Sequence, residues 1–497
     1  MKKTVSIISV GILLFPMLGI LHGLRLLLPS DTASFSIHLP LPFVTNSLIL
    51  AALSSFPFVA IGMTVGWAIY RVRFRAIKYI LSVLCIALFF IHPVVILDIV
   101  RSNSEIAQHL SPLMYGVAAY GLRNLAVAAI FSYFLFSHTI SGSALDLATR
   151  FSSKTHALFF VLYPQIGRHF FLISIPLSLL VFFEQDVPSM VGYRTYGEFL
   201  FSSIVISESP AGAVASVLPI AVFGATAVFA TWSVLNKFYP DKKAFVTAQT
   251  FPTDQSKGFG IALFWIFILL LVLGFFVKSI ILTAIAKEIS PEKLAVQNSE
   301  IFVFSVTIGI LSALLAMSVA RLLYRSDPCR KSSLCGYASL FYFFLPSSVL
   351  SLSLLQIRQI LRLDNAAADY PFLILGYLFS ILPVAYFLVW AQERFQESGR
   401  SGLFGEIPAY RRFFHIQIPQ KKGVWFSQFL ILFLFAFNNL DTPILLAPAG
   451  VETVTVKIYN LMHYGDSAGI VFLGGILIFF AFWSAIFVSY PVFKGRR

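Results

Sequence analysis

Charged side chains are scarce in this chain, and inside its apolar runs they are costly, so those found there are the first places to look for chemistry. Glu184 and Asp186 close one apolar run, in F-F-E-Q-D-V-P-S. Asn439 and Asp441 close another, in F-N-N-L-D-T-P-I, 255 residues later. Pro188 and Pro443 follow the two aspartates at the same distance. Carboxylates at the end of an apolar helix can line the mouth or gate of a polar path, facing each other across a repeat axis. They can equally cap the next turn or anchor it at a membrane interface. Arg123 lies inside another apolar run. It could line a path, pair within a helix bundle, or snorkel toward a surface.

Other chemistries lack their residues. ATP hydrolysis needs a phosphate-cradling loop of the G-x-x-x-x-G-K-[ST] kind, and none is present. H-E-x-x-H does not occur. Cys85, Cys329 and Cys335 are not placed for a disulfide, and they form no metal-type cluster with the nine scattered histidines. The chain is therefore expected to bind no cofactor or metal of its own and not to be an enzyme. Any ATP and Mg that drive it belong on a partner chain.

The elements that must position these residues are membrane helices. Hydrophobic residues make up 58% of the 497, and charged residues only 12%. Many apolar runs reach the roughly 20 residues that cross a bilayer as a helix. The fold class is an all-α polytopic membrane protein with about twelve spans, near 4–28, 47–70, 79–97, 112–137, 169–190, 211–236, 259–283, 301–324, 335–357, 372–391, 424–447 and 468–492. The first run is too long for a signal peptide and reads as a span. The net charge of +14 does not mark a nucleic-acid binder. About 25 of the 36 Lys and Arg fall in alternating loops on one side and about 7 in the loops opposite, the asymmetry of the positive-inside rule. Both termini are expected in the cytoplasm.

The aspartate stretches belong to a longer internal repeat. Pro164, Asp186 and Pro188 align with Pro419, Asp441 and Pro443 without a gap. Tyr70-Arg71 pairs with Tyr324-Arg325, Pro93 with Pro346, and Thr195 with Thr453, with offsets drifting by a few residues. Helix order and direction agree, so the repeat is parallel. It divides the chain into a first half, 1–236, a polar and basic linker, 237–257, and a second half, 258–497. Each half carries one long cytoplasmic loop, 138–168 and 392–423, at equivalent places. Both loops alternate apolar and polar residues at helical spacing: Ala148, Phe151, Leu158 and Phe159 in one, Phe404, Ile407, Tyr410 and Phe414 in the other.

The stretch from Phe183 to Phe199, the stretch L-D-T-P-I-L-L-A-P-A-G-V-E-T-V from Leu440, and K-I-Y-N-L-M-H-Y-G from Lys457 resemble the fused, two-half permeases of binding-protein-dependent bacterial ABC importers, of the iron(III)- and thiamine-type group. The resemblance implies a type I importer permease fold in the bacterial inner membrane. It implies two copies of a cytoplasmic ATP-binding subunit and a periplasmic solute-binding protein as partners, and iron(III), or else thiamine, as solute. The family's coupling motif, E-A-A, three residues, G, nine residues, I-x-L-P, is matched at its end by V-L-Y-P and I-Q-I-P. Its glycine position holds Phe151 in one copy, and Glu406 beside Gly405 in the other. Carried over by position, the residues docking the ATPase are Leu147, Ala148, Arg150, Ser153, Lys154 and Pro164, with Gly405, Glu406, Tyr410, Arg411 and Pro419. Thr195, Glu452, Thr453, Tyr459 and His463 fall where the binding protein would touch. Two other classes stay open at this level. One is a secondary carrier of two six-span repeats, which lacks a visible acidic or histidine relay deep in the spans. The other is a polytopic membrane enzyme or flippase-like scaffold.

Overall fold

The computed structural model describes residues 40–72, 74–102, 109–139, 163–206, 255–286, 291–326, 345–363, 366–396 and 418–494, with 11, 12, 14–19, 21, 226, 341 and 342. Fifteen helices and no strand occur among the described residues: α1 Leu41–Arg71, α2 Arg75–Phe90, α3 Pro93–Ser102, α4 Pro112–Thr139, α5 Tyr163–Phe183, α6 Asp186–Val191, α7 Tyr196–Ile206, α8 Gln255–Ala286, α9 Pro291–Ser326, α10 Ser347–Ile360, α11 Ala366–Gln396, α12 Ile418–Phe437, α13 Asp441–Leu446, α14 Val454–Tyr464 and α15 Ser467–Lys494. Six of them are long and apolar enough to cross a membrane, seven if α2 and α3 count as one bent span. The protein is an all-α, multi-pass membrane protein. Phe264, Phe267, Leu270 and Leu271 of α8 and Phe479, Phe482, Trp483 and Phe487 of α15 face outward, as a lipid-facing surface requires.

Two packing units resemble each other. Helix α1 packs along α4 and α5; α9 packs along α11 and α12. The α1–α4 contact is a close backbone approach. A Cβ at Gly62 would stand 2.4 Å from the Leu125 carbonyl oxygen, and one at Gly66 would stand 2.5 Å from that of Ala129. This G-x-x-x-G spacing replaces side-chain interdigitation with backbone contact, a usual solution where lipid supplies no hydrophobic drive between helices. On α9, Ala316 and Ala320 take the corresponding places and are fully buried.

Three runs expected as continuous spans are broken. The run 79–97 divides into α2 and α3, bent by 86° at Ile91-His92. The run 169–190 divides at Glu184-Gln185, and 424–447 divides at 438–440. Proline at 93, 188 or 443 removes a helical N–H and crowds the carbonyl four residues before it. Proline alone does not break these helices, because Pro57, Pro176, Pro371 and Pro383 sit inside α1, α5 and α11. Near Pro188 and Pro443 the broken turn also carries Glu, Gln, Asn and Asp, whose side chains compete for backbone groups. The second pieces then start cleanly, because a first-turn proline loses no bond there.

Most of the expected spans 4–28 and 211–236 and of the linker, residues 335–340 and 343–344 of the span 335–357, and the interiors of loops 138–168 and 392–423 lie outside the described residues. So do Leu147, Ala148, Arg150, Ser153, Lys154, Gly405, Glu406, Tyr410 and Arg411. Pro164 and Pro419 are the second residues of α5 and α12.

Candidate functional site

The three breaks, with the start of α10, meet at one place. Asp186 opens α6 and Asp441 opens α13, so each carboxylate sits at the positive end of its own helix. Each also lies beside the start of a second helix. Asp186 Oδ2 is 3.6 Å from His92 Nε2, at the turn into α3. Asp441 Oδ2 accepts from Ser347 Oγ at 2.5 Å, at the first residue of α10. The His92 ring is oriented from behind: Val94 N–H donates to its Nδ1 at 3.2 Å, which leaves Nε2 as the nitrogen facing the carboxylate.

Two further polar residues hold the breaks. Arg123 of α4 donates from its Nη1 to Glu184 Oε1 at 2.8 Å, and its guanidinium lies over the Tyr120 ring at 5.2 Å. The fully buried Tyr120 hydroxyl accepts from Val187 N–H at 3.3 Å. Asn439 has two roles. Its Nδ2 donates to Ser380 Oγ at 3.1 Å, and its Oδ1 accepts from Thr442 N–H at 3.0 Å, capping α13.

Three hydrogen bonds join residues near 90 and 185–189 to residues near 438–459. Asn438 Nδ2 donates to the Phe90 carbonyl, freed by the α2–α3 bend, at 2.9 Å. Gln185 Nε2 donates to Asp441 Oδ1 at 2.7 Å. The hydroxyls of Ser189 and Tyr459 lie 3.4 Å apart. Around them the Phe435 ring packs edge-on against Phe89 and Phe90, at 5.4 and 5.7 Å.

The residues singled out as a gate, Glu184, Asp186, Pro188, Asn439, Asp441 and Pro443, are therefore brought together. Those singled out for a binding protein divide. Thr195 and Thr453 are 1% and 2% exposed, and they cap α7 and α14 by accepting from the N–H groups of Glu198 and Val456. A buried cap offers a partner no surface, so these two side chains are removed from the contact set. Glu452 and Tyr459 are half-buried and His463 is exposed. Glu452 pairs with Lys457 at 3.1 Å and accepts from Asn460 at 2.8 Å, while the rings of Tyr459 and His463 meet edge-on at 4.7 Å.

Sequence reading missed His92, Gln185, Ser347 and Asn438. It found no acidic or histidine relay deep in the spans, and the His92–Asp186 pair lies instead at two helix breaks. The signal was available for Gln185, a polar residue aligned with Leu440 of the second copy. It was available for His92 as a polar residue immediately before a span-breaking proline. Among the described residues, no group of His, Cys, Asp and Glu is arranged to hold a metal ion. No family model, curated protein or solved structure matches the chain.

Proposed function

We propose that this chain is the inner-membrane permease of a binding-protein-dependent ABC importer, built as two parallel six-span halves with both termini in the cytoplasm. One observation carries the reading. The break–Asp–x–Pro element occurs twice with the same helix length, Asp186–Val191 and Asp441–Leu446, and its two copies touch through Gln185 and Asp441. Two copies of one element meeting face to face is what a path between two halves requires.

The surrounding bonds support the same reading. Tyr196 N–H donates to Ser47 Oγ at 2.8 Å, and Val454 N–H donates to Ser305 Oγ at 2.9 Å; both pairs are separated by 149 residues. Helices α7 and α14 have 11 residues each and follow equivalent threonine caps. In the proposed mechanism, two partner ATP-binding subunits grip the loops 138–168 and 392–423. Their closure on ATP and Mg rocks α1–α7 against α9–α14, and the contacts around Asp186 and Asp441 part to open the outer mouth. Solute, iron(III) by resemblance and thiamine as the other choice, arrives on a periplasmic binding protein that touches the region of Glu452, Tyr459 and His463. The chain supplies a conduit and no reaction.

A second reading rests on the His92–Asp186 pair. A buried carboxylate and imidazole at a broken helix are also parts of an ion-coupled carrier. One experiment separates the two. The purified chain is reconstituted alone in liposomes with a proton or sodium gradient. The importer reading expects no solute accumulation until an ATPase and a loaded binding protein are added. Accumulation by the chain alone would establish the carrier instead.

A further inference from the structure

The geometry points to a one-sided clasp: Gln185, held against Asp441, keeps the outer mouth of the path closed. The assignment to the outer mouth rests on the importer reading; the clasp itself rests on the geometry. Gln185 occupies the two-residue break between α5 and α6, is 5% exposed, and donates to Asp441 Oδ1 at 2.7 Å. Among the described residues, three side-chain bonds cross between the 90–189 and 438–459 regions, and of these this one alone has a carboxylate acceptor; charge-assisted bonds are roughly twice as strong as neutral ones.

Its symmetric counterpart cannot form. The residue placed like Gln185 in the other copy is Leu440, which has nothing to donate. Asp186 turns instead to His92 within its own segment. The crossing is thus made by one amide on one carboxylate. When the two segments part, Asp441 keeps its Ser347 hydroxyl and its place at the start of α13, so the carboxylate is not stranded. Gln185, on a non-helical break, is free to turn to water. A contact that leaves neither partner buried and unsatisfied on opening is cheap to break and remake, as a gate needs.

The test uses the full chain in membrane vesicles, with Cys329 and Cys335 changed to serine and Ser189→Cys as reporter, one turn beyond the clasp. A membrane-impermeant maleimide is applied to right-side-out and inside-out vesicles. The variant Gln185→Leu, which installs the residue of the other copy, is expected to speed labelling of right-side-out vesicles about tenfold, the scale of one lost charge-assisted bond. The exchange Gln185→Glu with Asp441→Asn reverses donor and acceptor. It is expected to return the rate to within about threefold of the reporter alone, which also shows that the fold survives at both positions. Labelling unchanged by Gln185→Leu overturns the clasp, and so does an exchange variant as fast as Gln185→Leu. Acceleration confined to inside-out vesicles overturns its place at the outer mouth. No ATPase or solute is present, so a failed clasp leaves the importer reading intact. Conversely, accumulation by the chain alone, with labelling as expected, sinks that reading and leaves the clasp.

Discussion

The segments 184–206 and 439–464 share a backbone plan and differ in charge. Each has a broken turn, a six-residue helix opened by aspartate, a threonine cap and an 11-residue helix. At equivalent positions two residues before the aspartates, Glu184 pairs with Arg123, while Asn439 pairs with Ser380. Where Gly197 brings a bare backbone under the carbonyls of Phe183 and Glu184, Thr455 donates its hydroxyl to the carbonyl of Asn439 at 3.0 Å. The same joint is thus made once from an ion pair and a close backbone approach, and once from neutral hydrogen bonds. Backbone geometry follows from the break and the cap. The choice of charge is a separate decision, and mutation can test it separately.

The largest effect is expected at the ion pair. Arg123 and Glu184 are mostly buried, with side chains 16% and 24% exposed. Arg123→Ser strands Glu184 near two aspartates, and losing one partner of a buried pair costs about 3–5 kcal/mol. Adding Glu184→Asn copies the Ser380–Asn439 joint into the first segment. The double variant is expected to recover all but about 1 kcal/mol in chemical denaturation of the detergent-solubilised chain. Equal losses in the single and double variants would mean that the two joints are not interchangeable, and the comparison fails there.

Next comes the packing beneath the joints. Gly62→Ala or Gly66→Ala drives a methyl into a backbone carbonyl of α4, an overpacking expected to cost about 2 kcal/mol. On α9 the corresponding residues are already alanine and buried, so Ala316→Gly costs only the roughly 1 kcal/mol of helix propensity. Thermal unfolding read from tryptophan fluorescence measures both. If alanine proves harmless at 62 and 66, the α1–α4 contact is looser than its α9–α11 counterpart.

The coarse architecture was legible in the sequence because apolar length is a strong signal. The spans near 47–70, 112–137, 259–283, 301–324, 372–391 and 468–492 all coincide with helices. The pairing of Asp186 with Asp441 was legible because two prolines keep its register. What escaped depends on bends. Continuous apolar runs gave no sign that α2 and α3 turn by 86°, and that turn is what carries His92 to Asp186. Thr195 and Thr453 were conspicuous as a matched pair, but matching does not distinguish a surface residue from a cap. Burial decided it. Gln185 escaped because aligning the two stretches singles out the residues they share, and it aligns with Leu440.

A smaller effect concerns the bonds that tie each 11-residue helix to the long helix beside it. Ser47→Ala and Ser305→Ala each leave a buried N–H, of Tyr196 or Val454, without its partner. Each is expected to cost about 1.5 kcal/mol, and the two costs should agree within about 0.5 kcal/mol, because donor, acceptor and distance nearly coincide. Amide hydrogen exchange at Tyr196 and Val454 reports the same loss locally, as faster exchange. A clear cost at one serine and none at the other would break the equivalence at its best-matched point.

The smallest effect should appear at the caps, and it carries a sign. Thr195→Ala removes one side-chain acceptor from the start of α7, a loss of about 1 kcal/mol. Thr453→Ala removes the matching acceptor from α14 and also the 3.2 Å contact with the Thr455 hydroxyl. Thr455 in turn holds the Asn439 carbonyl, so damage at the second cap reaches the break beside Asp441. The second variant should therefore be the less stable of the two, and it should loosen position 441, read as faster amide exchange at Thr442. No such route leads from Thr195 to Glu184, because Gly197 has no side chain to carry it. Equal losses with quiet exchange at Thr442 would show that each cap acts only on its own helix, and that the hydroxyl network of the second segment does not couple its cap to its break.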